Sequence, residues 1–528
     1  MVSRNRAVRA ATSVVVPLVM VAALSACGSS SSGPDPASVA PASAVGYFSA
    51  TVRPTGSLKT GAVDAAREIS HLNDPFGDLL RQVESSTSAQ GRGFSYARDI
   101  APWLGPRLGV FADAAAGASL SHPAYALIVD STNSSKALAF LKLDLRQDSQ
   151  GQPVVSRSYR GTTYYTFGSG REAGGIVNGF AVFGSEAGLR QVIDTANGGA
   201  ALAGASTYQS SGVADAPGAL ADGYVNFESI VPLIAAASGA EGSLLAPSLQ
   251  KLGLRSFGLT FSANAHSVAL DLLTSLSKAS GTQSTGAADT VASLPADAWL
   301  GLGLGNLGAD VSRALRQFGG ASGASGGSAI EEFLLSELDR RLHGLRIQRD
   351  ILPWLGDAAL FVSGSTSQTI GGALVIHSTN PAASKAAVSR ILVALRGIRG
   401  LTARRVSIPG ADAAISVHRK GLPSRIFVLD GRGIFAVALG GPAARQALAP
   451  SGSLGNSGEY RAATAELGGG LKPVFLVSVP ALARLILPHL SATTAAQVRP
   501  YLEAFTVLAA AGSHHGSNDT ARLVVGLR

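Results

Sequence analysis

The sequence predicts an α+β chain built from two tandem copies of one unit, each a mostly antiparallel sheet with helices packed on it. Three observations predict this. The segment Tyr96-Ala97-Arg98-Asp99-Ile100-Ala101-Pro102-Trp103-Leu104-Gly105 recurs as Ile347-Gln348-Arg349-Asp350-Ile351-Leu352-Pro353-Trp354-Leu355-Gly356, with seven of ten positions identical. Apolar periods of 2 and 3.6 alternate along the chain, and several strands follow one another without a helix between them, which favours antiparallel pairing over a doubly wound parallel sheet. The 528 residues also exceed the roughly 250–300 at which a single core stops growing, and a hydrophobic fraction of 46% is enough to fill two.

The repeat is collinear on both sides of that segment. Pro41-Ala42-Ser43-Ala44 aligns with Pro295-Ala296-Asp297-Ala298, and Ser131-Thr132-Asn133 aligns with Ser378-Thr379-Asn380. Phe180-Ala181-Val182 with Arg190-Gln191 aligns with Phe435-Ala436-Val437 and Arg445-Gln446. Alignment and composition together place the units at 41–277 and 294–528. A Ser, Gly and Pro-rich tether at 27–40 precedes the first, and a small, polar linker at 278–293 separates them.

Within the first unit the periods predict, in order, a strand at Val45–Val52, helices at Ala62–Ser70 and Pro75–Ser85, and strands at Leu108–Ala112 and Tyr125–Val129. A helix follows at Ser134–Leu145, then strands at Val154–Ser158, Thr162–Phe167 and Gly179–Phe183. The unit ends with a helix at Glu186–Thr195, a strand at Tyr224–Phe227 and closing strands at Ser256–Ser262 and Ser267–Leu272. In the second unit Glu331–Leu342 reads as a helix, with acids at its positive end, Arg340 and Arg341 at its negative end and Gly344 as a stop.

Residues 1–26 predict an export signal. Arg4, Arg6 and Arg9 precede an apolar stretch, Ala11 to Leu24, that is shorter than the roughly 20 residues a membrane span needs and holds Pro17. Leu24-Ser25-Ala26-Cys27 resembles the lipobox of bacterial lipoproteins. That resemblance implies cleavage before Cys27, acylation of its thiol and a membrane partner reached through an N-terminal lipid, at the extracytoplasmic face. Cys27 is the sole cysteine, so no intramolecular disulfide can form.

Removing residues 1–26 takes three arginines and no acid, leaving 40 basic and 34 acidic side chains, a formal charge of +6. An excess that modest gives no support for nucleic-acid binding. Arginine outnumbers lysine by 35 to 8, which fits a high-GC, actinobacterial-type genome rather than a demand for guanidinium chemistry.

Asp99 and Asp350 each precede Pro-Trp-Leu-Gly, a spacing that suits a capped single helical turn ended by Gly105 or Gly356 before a strand, with Trp103 and Trp354 as core plugs. The competing reading makes Asp99, Trp103, Asp350 and Trp354 ligand-binding residues, for instance with a sugar stacked on the indole. These motifs, the two Pro-Ala-x-Ala segments and the Ser-Thr-Asn strand ends resemble the bacterial domain-of-unknown-function family numbered 3352. The resemblance covers nearly all of the chain after the signal; it implies an exported or lipid-anchored protein and supplies no chemistry.

Other motifs lose on context. Gly323-Ala324-Ser325-Gly326-Gly327 matches a nucleophile elbow but lies in a Gly, Ala and Ser run with no counterpart in the first copy. Gly303, Gly305 and Gly308 have phosphate-loop spacing but begin inside a strand, and their counterparts are Ser49, Thr51 and Pro54. The nine histidines supply no metal cluster, adjacent His514 and His515 included, so neither cofactor nor metal is expected. His377 aligns with Asp130, a pairing that marks a solvated strand end. The basic stretch Lys385, Arg390, Arg396, Arg399, Arg404 and Arg405 reads as a solvated helix face packed through Val388, Ile391, Leu392 and Leu395, with anionic lipid headgroups as the competing partner.

The expectation is therefore an envelope lipoprotein that binds a lipidic or envelope ligand between two lobes without catalysis. A cell-envelope hydrolase and a structural or assembly role are the rivals.

Overall fold

A computed structural model describes residues 33–89, 95–113, 123–148, 153–167, 172–237 except 215 and 217, 253–277, 286–313, 345–366 and 369–528 except 420, 422 and 423. Cys27, the Gly323–Gly327 elbow and the expected helix at 331–342 lie outside these residues. The chain divides into two compact units, Met1–Ser280 with His514–Ala521, and Gly281–Ser513 with Arg522–Arg528.

The first unit is α+β. Its strands are β1 (Gly46–Thr51), β2 (Leu104–Asp113), β3 (Ala124–Ser131), β4 (Val154–Tyr159), β5 (Thr162–Phe167), β6 (Glu172–Val177), β7 (Phe180–Ser185), β8 (Ala221–Asn226), β9 (Leu254–Ala263) and β10 (Ser267–Leu276). They pair antiparallel in the order β4-β5-β6-β7-β3-β2-β1-β8-β9-β10. The first strand thus lies inside the sheet, between β2 and β8.

The second copy repeats this order strand for strand. It runs β11 (Ala298–Leu304), β12 (Leu355–Ser363), β13 (Gly371–Ser378), β14 (Leu401–Arg405), β15 (Ala413–Arg419), β16 (Ile426–Gly431), β17 (Ile434–Leu439), β18 (Phe475–Ser478), β19 (Phe505–His515) and β20 (Asn518–Leu527). Its antiparallel pairings are the same ones in the same sequence. Helices recur in step: Ser134–Asp148 matches Pro381–Arg396, Glu186–Ala196 matches Gly441–Leu448, and Phe227–Ala237 matches Val479–Ile486.

Local chemistry accounts for the turns and caps. Arg160-Gly161, Asn178-Gly179 and Arg432-Gly433 hold positive φ at both positions, the two-residue hairpin turn whose twist matches paired strands. Asn133 and Asn380 of the shared Ser-Thr-Asn triplets each cap the helix that follows, accepting the backbone N–H of Lys136 at 3.0 Å and of Ala383 at 3.1 Å.

Each face of the first sheet carries its own core. Trp103, Leu108, Val129, Leu141 and Leu145 pack under helix Ser134–Asp148. On the other face Tyr47, Phe111, Ile128, Leu189 and Ile193 pack under helix Glu186–Ala196.

Three expectations change here. The tether does not extend to residue 40: Pro36–Ser38 form a helical turn, and Ala37, Val39 and Ala40 are buried in the first core, where small apolar side chains fit closely. The stretch 278–293 is not linker throughout, because Gly286–Ala292 is a helix with Ala287 and Val291 buried. Strand β6 and helix Phe227–Ala237, unforeseen in the sequence, complete the unit. Both copies therefore begin on a short helical turn before the Pro-Ala-x-Ala segment, and that segment makes the same isolated bridge, Pro41 to Ala201 and Pro295 to Ser453.

Candidate functional site

The shared motif is one hydrogen-bonded device in both units. Its aspartate does not cap the Pro-Trp turn ahead of it. Instead the carboxylate reaches back four residues: Asp99 accepts the Ser95 N–H at 2.8 Å and Asp350 accepts the Arg346 N–H at 3.0 Å. The aspartate carbonyl then accepts the tryptophan indole N–H, at 2.7 Å in each copy. The tryptophan carbonyl in turn accepts the N–H of Thr132 or Thr379, at 2.9 Å in each, which ties the motif to the Ser-Thr-Asn strand end.

Gly105 and Gly356 do not stop the turn; they are the second residues of β2 and β12, where the next strand comes too close for a side chain. A Cβ on Gly356 would stand 2.6 Å from the His377 carbonyl oxygen, and one on Gly105 would overlap the Asp130 carboxyl. The position shared by Asp130 and His377 is solvated only in the second copy: His377 is exposed, whereas Asp130 is buried beside Gly33 and Gly105, and burial raises its carboxyl above the usual range.

Both tryptophans are 2% exposed, so neither indole presents a face to solvent. Trp103 lies 5.5 Å from the Phe140 ring and Trp354 lies 4.9 Å from Phe435, centroid to centroid. Arg98 pairs with Asp99 through two 2.8 Å bonds and holds that carboxyl below the usual range.

The second copy adds to this device. The Asp350 side chain, 3% exposed, accepts from Arg349 Nε at 2.9 Å and from Arg390 at 2.7 Å; the Arg349 hydrogen bond, then the Arg346 N–H, and then the charges of Arg349 and Arg390 hold its carboxyl below the usual range. The two guanidinium groups, each more than half exposed, stand at a hollow of about 410 Å³ bordered by Pro353, Trp354, Asn380, Ala383 and Ala386. In the first copy Leu143 occupies the place of Arg390, and Lys136 that of Ala383. The arginine before each aspartate was legible as part of the repeat; Arg390, forty residues on, carried no local signal.

Residues 8–525 match a family described as protein of unknown function, DUF3352. The chain belongs to the DUF3352 family. No curated protein matches it. Among solved structures, crystal form I of TP0453 is similar at 13% identity over 48% of this chain and 82% of that one, with a TM-score of 0.26. Form III of the same protein is similar at 14% over 47% and 82%, with a TM-score of 0.25. Scores that low do not establish a shared fold. For a DUF3352 chain the chemistry must therefore come from its own residues.

A second polar group escaped sequence reading. In the first unit Asp113, 0% exposed, accepts from Ser43 Oγ at 2.5 Å and from Gln191 Nε2 at 2.8 Å. In the second unit Gln446 Nε2 donates to Asp297 at 3.1 Å and its carbonyl accepts from Ser363 Oγ at 3.3 Å. Sheet register equates Asp113 with Ser363, and the sequence repeat equates Ser43 with Asp297. Acid and hydroxyl have exchanged places around a retained glutamine.

Gly303 is a packing residue, since its Cβ would stand 2.5 Å from the Ala287 carbonyl oxygen. His514 pairs with Asp519. Among the described residues no three His, Cys, Asp or Glu side chains gather as a metal site.

Proposed function

We propose that this chain is an exported lipoprotein, held at the outer face of a membrane by acyl chains on Cys27, that binds an amphiphilic ligand with an anionic head and performs no catalysis. The anchor rests on residues 1–27, with their basic start, apolar run and Leu-Ser-Ala-Cys ending. Among the described residues no helix is long and apolar enough to cross a membrane, which is compatible with such an anchor.

The observation that carries the binding function is the hollow of the second unit. Its two arginines are pre-oriented on one buried carboxylate, and guanidinium forks fixed in this way favour phosphate or carboxylate heads. Pro353, Ala383 and Ala386 give the apolar wall, and the volume lies in the range of small-molecule sites. Asp350, held ionised between arginines, is a poor proton donor or acceptor at neutral pH. The hydrolase rival has His514 and Asp519 to offer, but neither borders the hollow.

Two measurements test this. Cys27→Ala protein should leave the membrane fraction after a high-salt wash; retention there would remove the anchor. Protein purified in mild detergent should release an anionic amphiphile detected by mass spectrometry, and Arg390→Ala should lower its occupancy at least tenfold. An empty wild type that also fails to bind short-chain anionic lipids would refute the binding role.

A further inference from the structure

We propose that one face of the second unit, formed by the outer side of helix Pro381–Arg396, the turn after it and strand β14, docks on an anionic phospholipid surface. This goes beyond the hollow and does not depend on the lipid at Cys27.

Charge distribution gives the first argument. From residue 358 to residue 405 there are six basic side chains, Lys385, Arg390, Arg396, Arg399, Arg404 and Arg405, and no acid. The net +6 expected of the chain after residue 26 equals the charge of this stretch, so everything else sums to neutral. The matching span of the first copy, 108–159, carries four basic residues against four acidic ones. Between the copies the buried helix positions stay apolar, Leu141 and Leu145 becoming Val388 and Leu392, while the acids Asp144 and Asp148 give way to the packed Ile391 and Leu395.

The structure places that charge outward. Val388 and Leu392 are buried, with Ile391 and Leu395 packed beside them, so the helix meets the sheet along one stripe. Lys385, Ser389, Arg390, Val393 and Arg396 are exposed on the opposite stripe, and Arg399, Arg404 and Arg405 are exposed beyond it. Arg390 is engaged with Asp350, and Lys385 lies close enough to Asp430 to act on its carboxyl. Arg396, Arg399, Arg404 and Arg405 have no acidic partner among the described residues.

Among the described strands β14 pairs only with β15, and arginines on an edge strand discourage strand addition. Edge protection explains Arg404 and Arg405 but not an acid-free helix. Val393, 65% exposed in the midst of these cations, supplies an apolar tip. Basic residues around a small apolar tip complement a bilayer of anionic headgroups, where each cation adds about 1 kcal/mol of attraction.

The test is sedimentation of the chain from residue 28 onward, which lacks both the export stretch and Cys27, with vesicles of phosphatidylglycerol and phosphatidylcholine in equal parts, or of phosphatidylcholine alone. Binding is expected only to the anionic vesicles and only at low salt. Replacing Arg396, Arg399, Arg404 and Arg405 together by Gln should lower the partition coefficient about six hundredfold, from about fivefold per arginine. Replacing the same four by Lys should preserve it, Val393→Asp should weaken it, and Gln at the distant exposed Arg461, Arg484 and Arg499 should leave it unchanged. Circular dichroism checks that each variant is folded. Equal binding to both vesicles, equal loss in the distant variant, or tighter binding to a soluble polyanion than to vesicles would overturn the proposal.

Discussion

The exchanged acid and hydroxyl around Gln191 and Gln446 predict a compensating double variant. Asp113→Ser alone removes a buried carboxylate that accepts two hydrogen bonds. Bonds to a charged group are each worth roughly 1.5–3 kcal/mol, and allowing for relaxation the loss should be about 3 kcal/mol. Ser43→Asp alone sets a second carboxylate against the first; position 43 is exposed and the new group can turn toward water, so the cost should be about 1–2 kcal/mol.

Together the two changes rebuild the arrangement of the second unit. The hydroxyl brought to position 113 can donate to Gln191 Oε1, which is buried without a partner, as Ser363 donates to Gln446. The amide then donates to a carboxylate at the surface. The double variant should fall within about 1 kcal/mol of the parent, a coupling of at least about 3 kcal/mol, at the upper end for contacting pairs.

Urea unfolding followed by Trp103 fluorescence, in a Trp299→Phe and Trp354→Phe background, isolates the first unit. A double variant no more stable than the sum of the two losses would refute the equivalence of the sites.

Other outcomes follow from the same geometry. Burial lifts the Asp222 carboxyl to about 6, while the hydrogen bond from Ser49 and nearby Arg107 pull the other way. The charged form is therefore penalised in the folded state above that pH, and the first unit should gain up to about 3 kcal/mol as pH falls from about 7.5 toward 4. Asp222→Asn should flatten this dependence in urea titrations; a parent that loses stability over the upper half of that range would contradict it. Gly105→Ala and Gly356→Ala should each cost about 1–3 kcal/mol by overpacking against the adjacent strand, read as a lowered unfolding midpoint. Trp354→Ala should cost about 3–5 kcal/mol and Trp354→Phe much less, whereas a site built for stacking a ligand on the indole would lose binding before stability.

The α+β class, the antiparallel pairing and the duplication were legible because strand and helix periods, and the paired Pro-Trp-Leu-Gly segments, are local properties of the chain; the order of the strands, with β1 inside the sheet, depends on long-range pairing and was not. Strand β6 was missed although Asn178-Gly179 is a strong hairpin signal, because Glu172–Val177 holds two glycines and little alternation. The starts of both units were misplaced for a different reason. Ala37, Ala40 and Ala287 are core residues too small to register as a hydrophobic pattern. At the candidate site the aspartates and tryptophans stood out by repetition. The partner that distinguishes one copy, Arg390, could only be found once the chain had brought position 390 to position 350. The reach of the carboxylates back to Ser95 and Arg346 also needed coordinates, since an aspartate can cap in either direction.

The interior position of β1 bears on how such a chain can be made. Gly46 pairs with Ala112 on one side and with Val225 on the other, and Pro41 closes on Ala201. A ribosome delivering the first unit from its N-terminus therefore releases a central strand that waits roughly 180 residues for its second neighbour. Contacts that distant in sequence form slowly, and the open edge invites pairing with other chains in the interval. A chain cut between residues 196 and 221 keeps β1 to β7 as one contiguous sheet but leaves β1 as its open edge, and it should therefore aggregate more readily than the complete unit.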